Sequence, residues 1–211
     1  MQVTIFGATG MVGRQLIIHC LAKHYKVIAF GRNVSGLIDA DLKSDQLTAI
    51  QGYVFNDADV KKALTGSQAV LSALGGRFDG QDKARSLGMK KVIQGMVAAG
   101  IPRIVALGGL GVLPNAEGGY LLDSPDYPKE YLPVGLEHKA AFEALQASPL
   151  DYTFVCSPNI TNADANGLFE AHANLPGPSM EISAGNLAAF MTLELEARHF
   201  VRQRVGIGNK P

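Results

Sequence analysis

The chain has 211 residues with 47% hydrophobic and 18% charged side chains, a balance that predicts one globular domain with a substantial core. Its 19 basic and 19 acidic residues give a net charge of zero, and the lack of a basic run argues against nucleic-acid binding. No apolar run approaches the roughly 18 residues that a membrane-spanning helix needs, which argues against a membrane protein.

The N-terminal segment carries the most specific motif. Apolar and β-branched residues at 2–6 predict a buried strand, and Gly7-Ala8-Thr9-Gly10-Met11-Val12-Gly13 lead from it into a helix at 11–23. Glycines at this spacing permit a tight turn, close approach of the backbone to a pyrophosphate, and packing of the helix on the strand. The helix N-terminus adds unpaired N–H groups and a positive dipole end. The motif predicts dinucleotide binding by Gly7, Thr9, Gly10, Met11, Val12 and Gly13.

The end of a second predicted strand, at 26–30, bears on the choice between NAD and NADP. An acidic residue here binds the ribose 2′-hydroxyl of NAD, whereas an arginine accommodates the 2′-phosphate of NADP. The strand continues into Gly31-Arg32-Asn33, and a guanidinium binds phosphate through charge-assisted, bidentate hydrogen bonds. We therefore predict NADP, with NAD less favoured; the alternative is that Arg32 is a solvated loop cation.

Strand and helix patterns alternate along the rest of the chain. Further strands are predicted at 47–50, 69–73, 103–107, 152–156 and 203–207, and helices at 58–65, 83–99, 134–147 and 185–198. Gly100 followed by Pro102 is typical of a helix end. The alternation predicts an α/β fold over residues 1–211, a Rossmann-type doubly wound parallel sheet in a single domain.

Two segments, 108–133 and 157–182, depart from this alternation because they are rich in glycine, proline or asparagine. Both follow predicted strands at their carboxyl ends, where ligands bind in open α/β sheets. We predict that they are loops forming the substrate side of the site; the alternative is that they are mobile surface excursions.

The remaining composition bears on compartment and metal binding. Cys20 and Cys156 lie in apolar contexts, which predicts buried thiols in a reducing compartment. Met1 leads directly into the first strand without a signal-peptide pattern, so we expect a cytoplasmic protein. The histidines lack the spacing of metal ligands, and no metal site is predicted.

Several motifs together resemble a known family. They are Gly7-Ala8-Thr9-Gly10 with Gly13, the Gly31-Arg32 turn, the Leu74-Gly75 pair, Glu137-His138-Lys139, and the stretch 151–159. The chain resembles the atypical short-chain dehydrogenase/reductases, and within them the group of NmrA-like proteins and biliverdin-IXβ/flavin reductases. The likeness runs from residue 2 to about residue 200.

The resemblance implies roles for further residues. Lys139 would bind the nicotinamide ribose, and His138 would lie near the pocket, where a near-neutral pKa would let it protonate a reduced product. Both could instead be ordinary residues of a solvated helix surface. The resemblance also implies cofactor-binding positions at Leu74, Gly75 and Gly76 after the fourth strand, and at Pro158 and Asn159 beside the nicotinamide or substrate. Where many relatives have an acid followed by valine near the adenine, this chain has Tyr53 and Val54. Tyr53 would stack on the adenine instead; the alternative is that it is a rim residue.

The chain departs from the family where proton transfer is usually carried out. Ordinary members use Tyr-x-x-x-Lys on a helix, but Gly135 stands four residues before Lys139. The serine or threonine that usually ends the fifth strand is replaced by Gly108-Gly109. Tyr131 is too far from Lys139 along a helix to substitute, unless a loop folds it back. Alcohol–ketone interconversion by the usual residues is therefore disfavoured.

These observations predict an NADP-dependent oxidoreductase that transfers a hydride to a small planar acceptor such as a flavin or quinone, because such rings disperse charge and water can supply the proton. The alternative is a non-catalytic NADP-binding redox sensor of the NmrA-like type. Sugar-nucleotide epimerisation is disfavoured by the missing tyrosine. We expect a monomer or weak homo-oligomer.

Overall fold

The computed structural model describes residues 1–34, 36, 42 and 44–210. The strands are β1 (Gln2–Phe6), β2 (Lys26–Gly31), β3 (Leu47–Gln51), β4 (Ala69–Ser72), β5 (Arg103–Gly109), β6 (Asp151–Ser157), β7 (Asn159–Thr161), β8 (Phe169–Ala173), β9 (Glu181–Ser183) and β10 (Gln203–Asn209). The α-helices are α1 (Met11–Ala22), α2 (Asp57–Leu64), α3 (Met89–Ala99), α4 (Leu132–Gln146) and α5 (Ala184–Ala197).

Eight strands form one sheet in the order β3-β2-β1-β4-β5-β6-β10-β8. All neighbours in this sheet are parallel except β8, which pairs antiparallel with β10. Strands β7 and β9 form a separate two-stranded parallel ladder. The predicted Rossmann-type doubly wound sheet is confirmed.

The sheet is buried on both faces, which explains why its strands are continuous apolar runs. Along β1, Val3 and Ile5 face the core shared with α1 and α5, whereas Phe6 faces the opposite core. That second core contains apolar residues of α2, α3 and α4. Among the helices of the described residues, none has the length and hydropathy needed to cross a bilayer.

The helix predicted at 83–99 begins differently from the expectation. Residues Ala84–Gly88 form a π-helical turn, and α3 follows it directly. The Gly88 amide donates to the Lys83 carbonyl oxygen five residues earlier, at 3.2 Å. At the other end, Gly100 adopts a left-handed conformation with φ of +68° and terminates α3, as its sequence predicted.

The segment 157–182 is not the simple loop that the sequence predicted, since it contains β7, β8 and β9. After β8 the chain crosses one face of β10 at Gly206 and Gly208, where a Cβ atom would collide with the backbone of Leu175 or Ser179. The other segment, 108–133, includes the last two residues of β5 and short 3₁₀ turns at Leu110–Val112, Leu121–Asp123 and Lys129–Tyr131.

A buried ion pair joins α5 to the sheet. The side chains of Arg103 and Glu194 are 4% and 2% exposed, and their N···O distance is 3.1 Å. The same Glu194 oxygen accepts hydrogen bonds from the Thr153 hydroxyl and the Phe200 amide. Arg103 also donates to the carbonyl oxygens of Asp151 and Glu194. Removing either charge would leave its partner buried and uncompensated.

We expect Glu194→Ala to lower the free energy of unfolding by about 3–5 kcal/mol, because it strands the Arg103 guanidinium in the interior. Urea denaturation measures the change. The control is Lys91→Met, which breaks the exposed pair with Asp57 and should cost less than about 1 kcal/mol. Equal losses in the two variants would contradict the role assigned to the buried pair.

Candidate functional site

The candidate site lies at the carboxyl edge of the sheet, where the strand order reverses between β1 and β4. Open α/β sheets bind ligands in the crevice at such a switch point. The residues after β1, β2 and β3 therefore lie on one side of the switch point, and those after β4, β5 and β6 lie on the other.

The glycine loop after β1 is shaped by close backbone contacts. Gly7 has a φ of +79°, and a Cβ atom there would collide with the carbonyl oxygen of Ala73 at the end of β4. A Cβ atom on Gly13 would collide with the carbonyl oxygen of Gly7 and the backbone of Ala8. Both glycines are therefore required by packing within the loop, independently of any ligand.

The N-terminus of α1 is open to an anion. Its N-cap is Gly10, no side chain caps it, and its first turn holds no acidic residue. The amides of Met11, Val12 and Gly13 have no intrahelical acceptor in an α-helix. Thr9, Gly10 and Met11 are exposed. This cradle of backbone donors at a positive dipole end suits the pyrophosphate of a dinucleotide.

The end of β2 adjoins the same loop. A Cβ atom on Gly31 would lie 3.4 Å from Cγ2 of Thr9, so the backbone leading into Arg32 starts beside the glycine loop. Arg32 itself is exposed. The structure thus brings the predicted phosphate-binding residues and Arg32 to one place.

The two predicted residues in the turn after β3 have different surroundings. The Tyr53 amide donates to the Asp59 carboxylate at 2.9 Å, and the residue as a whole is 60% exposed. Val54 instead packs inward, 3.0 Å from where a Cβ on Gly88 would lie. Tyr53 is thus available to a ligand, whereas Val54 supports the core.

The turn after β4 is held by an arginine that the sequence analysis did not single out. Arg85, in the π-helical turn, donates to the carbonyl oxygens of Gly76 and Arg77 at 3.0 and 3.1 Å. Gly75 is exposed, whereas the Leu74 side chain is buried in the core. A Cβ atom on Gly76 would collide with the Asp82 side chain, so of the three predicted residues here only Gly75 is exposed.

His138 lies beside the end of β5. Its Cδ2 atom is 2.9 Å from where a Cβ on Gly109 would be, so the imidazole occupies the space of a side chain at that position. Burial, and to a lesser extent the positive charge of Arg85, lower the pKa of His138 to about 3. At neutral pH the ring is therefore uncharged. Burial disfavours the imidazolium that the expected proton donor would need, and the role of His138 stays a prediction.

Lys139 points to partners outside the glycine loop. Its ammonium lies 3.5 Å from the Asp123 carboxylate and 4.5 Å from the centroid of the Tyr120 ring. One turn earlier, Gly135 has its Cβ position 3.3 Å from the hydroxyl oxygen of Tyr127. Tyr127, rather than Tyr131, is thus the loop tyrosine that approaches the vacated position, and burial raises its pKa.

The residues after β6 complete this edge. Pro158 is partly buried and Asn159 is exposed at the start of β7, where its amide donates to the Met180 carbonyl oxygen. Burial raises the pKa of the preceding Cys156 thiol to about 12, so it is unreactive. In the described residues, no group of three or more acidic, histidine or cysteine side chains is placed to bind a metal.

Known proteins resemble this chain along nearly its whole length. A family model described as NAD(P)H-binding matches residues 7–198. The uncharacterised Bacillus subtilis protein YwnB is 28% identical over 163 residues, which span 74% of this chain and 70% of YwnB. A solved Burkholderia pseudomallei protein, provisionally named as exported, superimposes with a TM-score of 0.83 and 27% identity over 99% of both chains. A Streptococcus pneumoniae protein provisionally named an NADH-flavin reductase has the same fold, with a TM-score of 0.83 and 23% identity over 100% of both chains.

Two substitutions in the glycine loop should differ in their effect on stability. Gly13→Ala should lower the free energy of unfolding by about 2–3 kcal/mol, because the added Cβ forces α1 away from the loop. Gly10→Ala should cost less than about 1 kcal/mol, because its Cβ would meet only the Gly7 carbonyl oxygen at 3.4 Å. Chemical denaturation without added nucleotide measures both, and the reverse order would contradict the packing described above.

His138 should make folding sensitive to acid. Since its pKa falls from 6.5 to about 3 on folding, the unfolded chain takes up a proton below pH 6.5 that the folded chain does not. Its contribution to stability is therefore complete above pH 6.5 and declines as the pH decreases, by at most about 1.4 kcal/mol per unit. The unfolding free energy measured at pH 6 and pH 5 should fall less in His138→Gln. Equal slopes in the two proteins would show that the imidazole is not held neutral.

Proposed function

The chain belongs to the NAD(P)H-binding family, and from that membership we propose that it is an NADP-dependent oxidoreductase that transfers a hydride to a planar acceptor such as a flavin or quinone. The observation that carries the proposal is the combination of an intact nucleotide cradle with glycines at both positions where the usual proton-transfer side chains stand. The Streptococcus pneumoniae neighbour named for NADH-flavin reduction supports the choice of acceptor.

The nucleotide half of the site is assigned to the residues around the switch point. The amides of Met11, Val12 and Gly13 would hold the pyrophosphate, with Gly10 leaving room for it. Tyr53 would border the adenine through its exposed ring. When bound, the reduced nicotinamide supplies a hydride. Lys139, Pro158 and Asn159 would contact its ribose or ring, and Lys139 would exchange part of its interaction with Asp123 for the ribose.

Arg32 supports NADP over NAD. It is exposed, directly follows β2 and starts beside Thr9 of the glycine loop. A ribose bound along this loop places its 2′-substituent near the end of β2. A 2′-phosphate there would gain charge-assisted hydrogen bonds from the guanidinium that a 2′-hydroxyl cannot match.

The acceptor half suits a reaction that needs no protein acid. Gly135 supplies no phenol, Gly109 supplies no hydroxyl, and the neutral His138 cannot donate as an imidazolium. Reduction of a simple ketone needs a proton on the developing alkoxide. A flavin or quinone delocalises the added charge over its rings, so orientation against the nicotinamide is the main requirement.

The lack of the usual proton-transfer side chains also suits a second function, a redox sensor of the NmrA-like type that binds NADP without turning it over. We also propose that the protein acts in the cytoplasm as a monomer or weak homo-oligomer. Its two cysteines are free, buried thiols with pKa values raised to about 12, which is compatible with a reducing compartment.

The test combines cofactor titration with turnover. We expect NADPH to bind the purified protein more tightly than NADH, and Arg32→Ala to weaken NADPH binding about 10- to 100-fold while leaving NADH binding within about 2-fold. Nucleotide fluorescence measures the affinities, and oxidation of NADPH after addition of FMN or a quinone measures turnover. Lys26→Ala, which removes an exposed cation at the start of the same strand, is the control.

Tight binding of NADPH without turnover on flavins, quinones or dichlorophenolindophenol would contradict the reductase function and favour the sensor function. The sensor additionally requires different affinities for oxidised and reduced cofactor. Equal loss of NADPH and NADH binding in Arg32→Ala would contradict recognition of the 2′-phosphate.

A further inference from the structure

Arg85 is a buried cation without a carboxylate partner in the described residues. It is 7% exposed, and none of their carboxylate oxygens lies within 4.0 Å of its nitrogens. Its two terminal nitrogens donate to backbone carbonyl oxygens, and its Nε atom has no hydrogen-bond partner. Burying a charge without a carboxylate partner costs free energy. Here that cost is offset by the two carbonyl oxygens and by the Phe78 ring, whose centroid lies 5.8 Å from Cζ of Arg85.

The acidic groups near Arg85 are bound to other partners. Glu137 accepts hydrogen bonds from the Lys83 ammonium at 2.6 Å and from the Ser86 hydroxyl at 2.5 Å. Asp82 accepts from the Ala84 amide at 2.9 Å. Both carboxylates act on Arg85 only from a distance. The guanidinium charge is thus left to act on whatever occupies the neighbouring site.

The π-helical turn places this charge beside the turn that follows β4. A terminal nitrogen of Arg85 lies 3.9 Å from where a Cβ on Gly75 would be, at the end of β4. On the other side is His138, which borders Gly109 at the end of β5. Arg85 therefore adjoins the turn after β4 and acts electrostatically on His138 beside the end of β5. Both strands lie on the side of the switch point opposite β2 and Arg32.

We propose that Arg85 is a specificity-determining residue that favours acceptors whose reduced form is an anion, with flavins as the leading class. This inference rests on the proposed reductase function. In that reaction a C–H bond of the dihydronicotinamide breaks, an N–H bond forms on the flavin, and two electrons move with the hydrogen nucleus. The nicotinamide is oxidised, and the flavin ring carries one negative charge until water protonates it.

A positive charge that is fixed before the reaction stabilises the developing anion without reorganising. The dry surroundings of Arg85 strengthen that interaction compared with a solvent-exposed cation. With the His138 imidazole uncharged, the buried cation beside the turn after β4 is Arg85. The arrangement thus supplies charge stabilisation where an acid is missing.

The experiment compares the binding of oxidised and reduced FMN without nicotinamide, under anaerobic conditions and at a pH where free reduced FMN is anionic. Both forms carry the same phosphate, so the ratio of their dissociation constants isolates the charge on the ring. We expect the wild type to bind reduced FMN at least about 10-fold more tightly than oxidised FMN, and Arg85→Gln to lose most of that preference. Arg85→Lys should keep most of it, because it keeps the charge.

The matched control is Arg77→Gln, which removes an exposed arginine of the same turn, paired with Asp79, while leaving the carbonyl oxygen that Arg85 binds. It should not change the ratio. An unchanged ratio in Arg85→Gln, equal losses in the glutamine and lysine variants, or no binding of FMN in either redox state would overturn the inference. If Arg85→Gln does not fold, the test rests on Arg85→Lys. Loss of the preference for reduced FMN in that variant excludes a role for charge, because the charge is still present.

The result that would contradict the proposed reductase function differs from those that would contradict the role of Arg85. Absence of NADPH oxidation on every acceptor contradicts the reductase but leaves the FMN binding ratio measurable. Conversely, NADPH-dependent FMN reduction that is as fast in Arg85→Gln as in the wild type retains the reductase and removes the role of Arg85.

Discussion

The backbone contact between the glycine loop after β1 and the end of β4 constrains the rest of the site. Gly7 lies against the carbonyl group of Ala73, and Gly13 lies against Gly7 in turn. Because neither contact leaves room for a side chain, β1, β4 and α1 meet at a fixed separation and angle. The direction of the free amides of α1 follows from this packing, and so does the position of the crevice in which a dinucleotide would lie.

Beside that crevice, side chains from elsewhere in the chain lie next to two glycines. At the end of β5 the imidazole of His138 takes the space that a side chain at position 109 would need, so a serine there and this histidine exclude each other sterically. On α4 the hydroxyl of Tyr127 approaches the vacant Cβ position of Gly135. The space beside both glycines is therefore taken up by side chains from other parts of the chain.

Elements set by local patterns were predictable from sequence, and those set by distant partners were not. The apolar strands 2–6, 26–30 and 103–107 and the terminator Gly100 follow from local composition, and the glycine loop follows from its spacing. Residues 169–173 do alternate apolar and polar side chains, but β8 depends on pairing with β10 far along the chain, which no local pattern indicates. Arg85 was missed because an arginine after a glycine-rich turn reads as solvated, and only the π-helical turn buries it.

The position of β10 between β6 and β8 has a consequence for the order of folding. Strands β1 to β6 can assemble in the sequence of their synthesis, so the glycine loop and the switch point form from the part of the chain made first. Strand β8 cannot pair until residues 174–202 and its partner β10 have been synthesised. The pairing that completes the sheet is thus a late, non-local step. A ribosome-bound chain can therefore possess its nucleotide cradle while one strand of its sheet is still unpaired.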